Sequence, residues 1–220
     1  MSTAVVLVMA KVPIPGHVKT RLAATEGPVR AARLATAALL DTLDVCEAAF
    51  GLGRCHLALA GDLDTVDDPE LAERLRTWTV HRQQGSGLGE RIANAHRDVH
   101  AVAGVPVVQI AMDTPHATGD DLHLVAAMVA ADRPVLGLAD DGGWWVLASG
   151  VPSHVDGLER VPMSTPATGR ATWTLLRANA NDVGAASVLR DIDDAADAHH
   201  VAALAPTTRF ARTWREGRNA

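Results

Sequence analysis

Lysine is scarce in this sequence. The chain has 220 residues and 20 basic side chains, but only Lys11 and Lys19 are lysines, and both lie in the stretch AKVPIPGHVKTRL. A lysine ammonium is a compact charge on a flexible stem that suits phosphate oxygens, whereas arginine presents a planar fork. The pair therefore indicates a phosphate-binding loop, with a solvated basic loop as the other interpretation.

An excess of basic residues is also absent. The 20 basic side chains stand against 26 acidic ones, which gives a formal net charge of -6. Such a chain has no broad positive surface that would attract a polyanion, so we expect no nucleic-acid partner. A small anionic ligand would depend on a local group of cations.

Cysteines and long apolar runs are few as well. Cys46 and Cys55 form no CxxC or Cys/His pattern, and we assign these thiols no chemistry. The first apolar run, Ala4–Ala10, has seven residues and no basic segment before it, so it is too short for a membrane span and unlike a signal peptide. We expect a cytoplasmic protein. No repeat or linker is apparent, and residues 1–220 are predicted to form a single domain.

Short valine-rich runs alternate with helical segments along the chain. Ala4–Ala10 and Val105–Met112 are typical of buried parallel strands, and Pro28–Phe50 has apolar residues at helical spacing. The alternation predicts an α/β fold with a mostly parallel sheet covered by helices on both faces. The remaining predicted strands are His56–Ala60, Thr77–His81, Pro134–Ala139, Trp144–Ser149 and a short one ending before Asp191; the remaining predicted helices are Pro69–Arg76, Leu88–Val102, Thr118–Ala131 and a late one that contains Trp173.

In such sheets ligands bind at the carboxyl ends of the strands, so the loops after the strands are the places to look for a site. The loop after the first strand contains both lysines, Gly16 and Arg21 and could hold phosphates; it is not a Walker A loop, because Val18 precedes Lys19. The loop QQGSGLGER opens a helix whose free amides could meet an anion or a base edge, although it is also typical of an ordinary turn.

Three later strands end in acidic residues. Asp113 follows a buried strand in AMDTP, where it could bind a divalent cation or simply begin a helix. Asp140 and Asp141 precede two glycines in ADDGGWW, a pattern typical of a metal ligand, a base or an ordinary hairpin turn. Asp191 and Asp193 lie in VLRDIDDAAD, where some of the acids only cap the following helix.

Taken in order, AKVPIPGHVKTRL, QQGSGLGER, MDTP, DDGGWW and LRDID resemble the bacterial GT-A-type transferases of the DUF2064, or selenodomain-associated, glycosyltransferase family. The resemblance runs from about residue 4 to residue 200. It implies a nucleotide-diphospho-sugar transferase fold with a Rossmann-like sheet of about seven strands. It also implies a nucleotide-binding half over about residues 1–115, an acceptor-side half over about 116–205 and a C-terminal helical tail over 206–220.

The resemblance also implies roles for individual residues. The implied phosphate-binding residues are Lys11, Gly16, Lys19 and Arg21; the second nucleotide-binding group is Gln84, Gly87 and Arg91. The implied acceptor-side group is Asp140, Gly142, Gly143 and Trp144. Asp113 matches the acid that holds the metal, Mg²⁺ or Mn²⁺, together with Asp193 and Asp191, and Asp141 and Asp113 are the implied catalytic residues.

The sequence departs from the family pattern at three positions. The family usually has glycine, tyrosine and tryptophan where this chain has Ala111, Trp144 and Met163. We therefore expect an acceptor pocket that differs from those of better-matched members. His96 and His100 are four residues apart on a predicted helix, and without a third ligand we expect them at the surface.

The expected reaction is glycosyl transfer from a nucleotide-diphospho-sugar to a small-molecule acceptor. In that reaction a metal and the loop cations would stabilise the leaving diphosphate, and Asp141 would orient or deprotonate the acceptor hydroxyl. The KTRL segment also resembles the opening of guanylyltransferases, so nucleotidyl transfer from a nucleoside triphosphate is the alternative. A non-catalytic nucleotide-binding protein is a third possibility, and a homodimer is left open.

Overall fold

A computed structural model describes residues 4–216 of the chain. Residues 217–220 of the expected helical tail, and residues 1–3, lie outside this range. The strands are β1 (Val5–Lys11), β2 (Cys55–Ala60), β3 (Thr79–Arg82), β4 (Val107–Ala111), β5 (Val135–Leu138), β6 (Trp144–Ser149) and β7 (Gly184–Ala185). The helices are α1 (Thr20–Glu26), α2 (Pro28–Phe50), α3 (Pro69–Thr77), α4 (Leu88–Ala103), α5 (Gly119–Met128), α6 (Thr168–Asn179), α7 (Ala195–Leu204) and α8 (Arg209–Glu216).

The strands form one seven-stranded sheet in the order β3-β2-β1-β4-β6-β5-β7. All neighbouring pairs are parallel except those that involve β6, which is antiparallel to β4 and to β5. The predicted mostly parallel sheet is therefore confirmed. The antiparallel strand follows from the short turn between β5 and β6, because a tight turn can only reverse the chain.

Helices cover both faces of the sheet, as predicted. Alternate residues of β1 enter two different apolar clusters, since successive side chains of a strand point to opposite faces. Val6 and Val8 pack with residues of α2, α3 and α5, whereas Val5 and Leu7 pack with residues of α4 and α6. The fully apolar run at the start of the sequence is thus the centre of the core.

The tail helix α8 packs on α2 and covers the edge of the domain. Phe210 and Trp214 are 1% and 2% exposed and share a cluster with Leu34 of α2. The buried carboxylate of Asp41 accepts hydrogen bonds from the backbone N–H groups of Arg209 and Phe210 at 2.9 and 2.8 Å. This contact satisfies the first amides of α8 and fixes its start.

Three details differ from the sequence-based expectations. The last strand is Gly184–Ala185, and the predicted strand before Asp191 is reduced to a single bridge between Ala139 and Leu189. Helix α1 lies within a segment that we expected to be a loop. The surface placement of His96 and His100 was wrong: both are buried, because α4 turns this face toward a polar residue of the sheet, Ser149.

Among the described helices, none is both long and apolar enough to span a membrane.

The turn between β5 and β6 requires a glycine at position 142. Gly142 has a φ of 88°, and a Cβ added there would lie 2.2 Å from the backbone oxygen of Pro166. Its own carbonyl accepts a hydrogen bond of 2.8 Å from the N–H of Gly169, at the start of α6. The turn is therefore seated directly on the first residues of α6.

We expect Gly142→Ala to lower the free energy of unfolding by at least about 2 kcal/mol, because it adds left-handed strain and a backbone collision. Urea denaturation measures this loss. Gly119→Ala is the matched control: a Cβ at Gly119, the first residue of α5, meets no atom within 4 Å, so its stability should be unchanged or slightly higher. Equal losses in the two variants would contradict this account of the turn.

Candidate functional site

The carboxyl ends of β1 to β4 meet at one edge of the sheet, and the β5–β6 turn and the segment after β7 come to the same edge. A cleft of about 490 Å³ opens there. Its walls come from every part of the chain that the sequence motifs had singled out. The predicted site residues that line it are Lys11, Arg21, Arg91, Asp113, Asp141, Gly143, Trp144, Asp191 and Asp193.

Three carboxylates of this cleft form a compact cluster. One oxygen each from Asp141, Asp191 and Asp193 lies within 4.8 Å of the other two. Hard divalent cations such as Mg²⁺ and Mn²⁺ prefer oxygen ligands of this kind, so the donor set fits the predicted metal. The cluster includes Asp141, which we had predicted to act on the acceptor, in addition to the two predicted ligands from the end of the chain.

Burial and neighbouring charge raise the pKa of Asp191 to about 7 from an ordinary value of 3.8. Desolvation is the largest cause, and the charges of Asp113, Asp141 and Asp193 follow in that order. Lys19 acts in the opposite direction. Close to Asp191, the charges of three carboxylates are opposed only by that of Lys19, an arrangement that favours a bound cation.

Lys19 lies beside the acids and not in solvent. Its backbone has a φ of 46°, a left-handed conformation, and its side chain is 11% exposed. The ammonium donates a hydrogen bond of 2.7 Å to Asp113 Oδ2, another to the carbonyl of Ile192, and lies 4.0 Å from Asp193 Oδ1. Lys19 therefore joins the first loop to β4 and to the segment after β7.

Asp113 is placed by this ammonium. Its carboxylate pairs with Lys19 and is not one of the three oxygens of the cluster, although its charge raises the pKa of Asp191. Metal binding by Asp113 stays a prediction. Asp193, the second carboxylate near the Lys19 ammonium, accepts a hydrogen bond of 2.6 Å from Arg21. The side chain of Arg21 is 69% exposed.

The other predicted cations are on the cleft wall. Lys11 is exposed and its ammonium donates to the carbonyl of His17 at 2.9 Å. Arg91 donates a hydrogen bond of 3.0 Å from Nε to the carbonyl of Gly85. This contact ties α4 to the glycine-rich loop, residues 83–91. Gly16, with a φ of 80°, and Gly87, before α4, shape these two loops without lining the cleft.

Two further predicted residues lie beside the cleft. Gln84 is exposed, whereas the side chain of its neighbour Gln83 lines the cleft and donates to the carbonyls of Ala10 and Ala58 at 2.9 and 2.8 Å. Asp140 pairs with Arg190 at 3.1 Å. Asp141 Oδ1 instead accepts the N–H of Gly143 at 2.7 Å, so the turn holds this carboxylate in place.

The three positions that depart from the family pattern all line the cleft. Trp144 donates from its indole N–H to Thr172 at 3.2 Å, and Ala111 and Met163 lie on the same wall. Sequence reasoning missed another lining residue, Gln109. Its signal was a lone polar side chain in the otherwise apolar run VVQIA.

A family of bacterial proteins matches this chain. The model of DUF2064, described as an uncharacterized protein conserved in bacteria, matches residues 42–165, more than half of the chain. The chain belongs to this family. The matched range includes the glycine-rich loop, residues 83–91, and the acidic turn, residues 140–143. The loop that contains Lys11 and Lys19 lies before this range. No curated protein matched the chain.

Solved structures share the fold of this DUF2064 member. A candidate nucleotide-diphospho-sugar transferase from Desulfovibrio desulfuricans G20 is 23% identical, with a TM-score of 0.77 over 100% of this chain and 95% of that one. A cytidylyltransferase from Leptospira borgpetersenii is 12% identical, with a TM-score of 0.58 over 100% of this chain and 95% of that one. CMP:2-keto-3-deoxy-manno-octonic acid synthetase complexed with CTP is 13% identical, with a TM-score of 0.52 over 92% and 98%. These likenesses establish the nucleotide-diphospho-sugar transferase fold that the motifs imply.

The raised pKa of Asp191 predicts a pH dependence of stability in the metal-free protein. A carboxyl whose pKa is higher in the folded than in the unfolded chain stabilises the fold while protonated, and that contribution is lost as pH rises from about 4 to about 7. Asp191→Asn cannot ionise. With chelator present, we therefore expect the variant to be more stable than the parent at pH 8, with the difference shrinking at pH 5.

Thermal unfolding at both pH values measures this difference. Asp140→Asn is the matched control, because Asp140 is not in the cluster and pairs with Arg190; it should give no gain at pH 8. A variant at position 191 that is less stable than the parent at pH 8 would contradict the account.

Proposed function

We propose that this protein is a divalent-cation-dependent transferase that uses a nucleotide-activated donor, with glycosyl transfer from a nucleotide-diphospho-sugar as its reaction. One observation carries the proposal: three carboxylates that can hold a cation share a cleft with the loop cations Lys11 and Arg21. Such a pairing suits a nucleotide diphosphate, because cationic side chains can bind its oxygens and a divalent cation held by the carboxylates would neutralise its remaining charge.

The donor nucleotide would lie over β1 to β3. This side of the cleft has Lys11, Arg21 and Arg91, together with the backbone amides at the start of α4, where Gly87 provides no side-chain cap. Amides at a helix start and nearby cations both favour an anion. The sugar would then lie toward β6, where the side chain of Trp144 offers an apolar aromatic wall.

Mg²⁺ or Mn²⁺ would be held by Asp141, Asp191 and Asp193, with Asp113 as a further candidate beside Lys19. When bound, the cation would neutralise charge that develops on the leaving diphosphate. Lys19 and Arg21 hold the acids in place from the side of the first loop and would add positive charge near the phosphates. Asp141 remains our candidate for orienting or deprotonating the acceptor hydroxyl.

Nucleotidyl transfer is the second candidate. Three cations on the nucleotide side suit a triphosphate at least as well as a diphosphate, and two proteins of the same fold are named as a cytidylyltransferase and as a synthetase complexed with CTP. In this reaction the same acids would hold the cation on the α-phosphate, and pyrophosphate would leave. A non-catalytic nucleotide-binding protein is the third candidate.

Labelled donors distinguish the three candidates. Incubation with a panel of radiolabelled nucleotide sugars, or with nucleoside triphosphates, in the presence of Mn²⁺ shows which donor is consumed. We expect consumption of a nucleotide sugar with release of the nucleoside diphosphate. Pyrophosphate release from a triphosphate would favour the second candidate, and binding without consumption of any donor the third.

Asp141→Asn tests the central acid of the proposal. Loss of a cation ligand or of the acceptor base should lower turnover at least about 100-fold. Asp132→Asn is the control, since this exposed carboxylate has no role in the proposal and does not line the cleft, and turnover should stay within about twofold of the parent. Unchanged turnover in Asp141→Asn, with donor binding intact, would remove Asp141 from the mechanism.

A further inference from the structure

A buried polar network runs beneath the floor of the cleft. Helix α4 presents His96 and His100, one turn apart, to Ser149 at the end of β6. Ser149 Oγ lies 2.7 Å from His96 Nδ1 and 2.8 Å from His100 Nε2. A hydroxyl has one proton, so it donates to one ring and accepts from the other. All three side chains are at most 7% exposed.

Gln109 is the end of this network that reaches the cleft. Val108 and Ile110, its neighbours in β4, pack on the α2 face, so Gln109 points to the α4 face. It is 1% exposed and nevertheless lines the cleft together with Met9, Ala111 and Trp144. An amide in such a place is costly unless both of its ends have partners.

One end of the amide faces the network. Within residues 4–216, His96 Nε2 and Gln109 Oε1 are both buried without a hydrogen bond of good geometry to another group, and the Gln109 side chain interacts with the imidazole of His96. Burial lowers the pKa of His96 to about 3, so the ring is neutral. Because the hydrogen bond to Gln109 acts to raise the pKa of His96, as an acceptor does, we assign the proton of the neutral ring to Nε2, facing Gln109 Oε1, and leave Nδ1 to accept from Ser149.

The other end of the amide has no such partner. In the described part of the chain, Gln109 Nε2 makes no hydrogen bond, and because Gln109 lines the cleft we assign its N–H groups to the cleft side. The network therefore orients the amide of Gln109 so that its N–H groups lie among apolar residues that line the cleft. A neutral oxygen acceptor with an apolar flank suits this position better than a phosphate, because Gln109 carries no charge.

We propose that Gln109 is a specificity residue that donates a hydrogen bond to a hydroxyl or carbonyl oxygen of the bound donor, and that His96 and Ser149 are positioning residues that orient its amide. The inference rests on the proposed function. Gln109 lies on β4, between the strands of the nucleotide side and Trp144 on β6. The oxygen therefore belongs either to the transferred sugar or to the nucleobase.

Paired ligands identify the source of the oxygen. UDP is compared with UDP-glucose, and GDP with GDP-mannose, by isothermal titration calorimetry with Mn²⁺. Gln109→Met removes the amide at similar length, and loss of one neutral hydrogen bond weakens binding about tenfold. A loss confined to the nucleotide sugar assigns the oxygen to the sugar, and an equal loss for the nucleoside diphosphate assigns it to the base.

Three further variants separate ligand contact from folding. Gln109→Glu keeps an acceptor for His96 but removes the cleft-facing N–H, so it should lose binding as Gln109→Met does. Ser149→Ala should weaken binding less than Gln109→Met does, but for the same ligand of each pair. A purely structural role of Ser149 would not produce this selectivity. Val108→Ala is the destabilised control, since Val108 is buried on the opposite face of β4, and its binding should be unchanged.

Three results would overturn the inference, and they differ in what they reject. If the parent protein binds none of these four ligands and no nucleotide sugar of the radiolabelled panel with Mn²⁺, the proposed function fails and this inference fails with it. If the parent binds and Gln109→Met binds equally well while folded, only the role of Gln109 fails. Restored binding in Gln109→Glu would likewise show that the residue serves His96 alone.

Discussion

The arrangement of this protein depends on the repulsion among four carboxylates that the sheet brings to one edge. Asp113, Asp141, Asp191 and Asp193 come from three separate segments of the chain, and the charges of the other three raise the pKa of Asp191. Lys19 and Arg21 offset part of this repulsion by direct pairing with Asp113 and Asp193. The pairings also tie the first loop to the segments after β4 and β7, so the charges that would favour a bound cation also help to hold the walls of the cleft together.

Much of the fold could be predicted from the sequence because its signals are local. Buried strands such as β1 are visible in the sequence as unbroken apolar runs, and the glycines of the acidic turn, residues 140–143, indicate a reversal of the chain. The two residues of β7 are too few to give a periodic pattern, and α1, only seven residues long, lies within a segment already assigned to a loop. Such short elements are determined by tertiary contacts, for example the pairing of Val135 with Gly184.

The candidate site could be predicted in part, for a different reason. The sequence shows that acidic residues follow several of the strands. It does not show which carboxylate oxygens lie close together, because that depends on the direction of each side chain. Asp141 lies in the carboxylate cluster because the amide of Gly143 holds it there, and Asp140 turns away to Arg190. The burial of His96 and His100 could not be read from their spacing, because Ser149 is 53 and 49 residues away in sequence.

A crystal grown with Mn²⁺ and a nucleoside diphosphate tests the central claim most directly. Anomalous diffraction at the manganese edge locates the ion without reference to any assumed role of a residue. The account predicts one strong peak bound by carboxylate oxygens of Asp141, Asp191 and Asp193, with the diphosphate on the side of the first loop. A cleft without manganese, or an ion bound away from these three carboxylates, would contradict it.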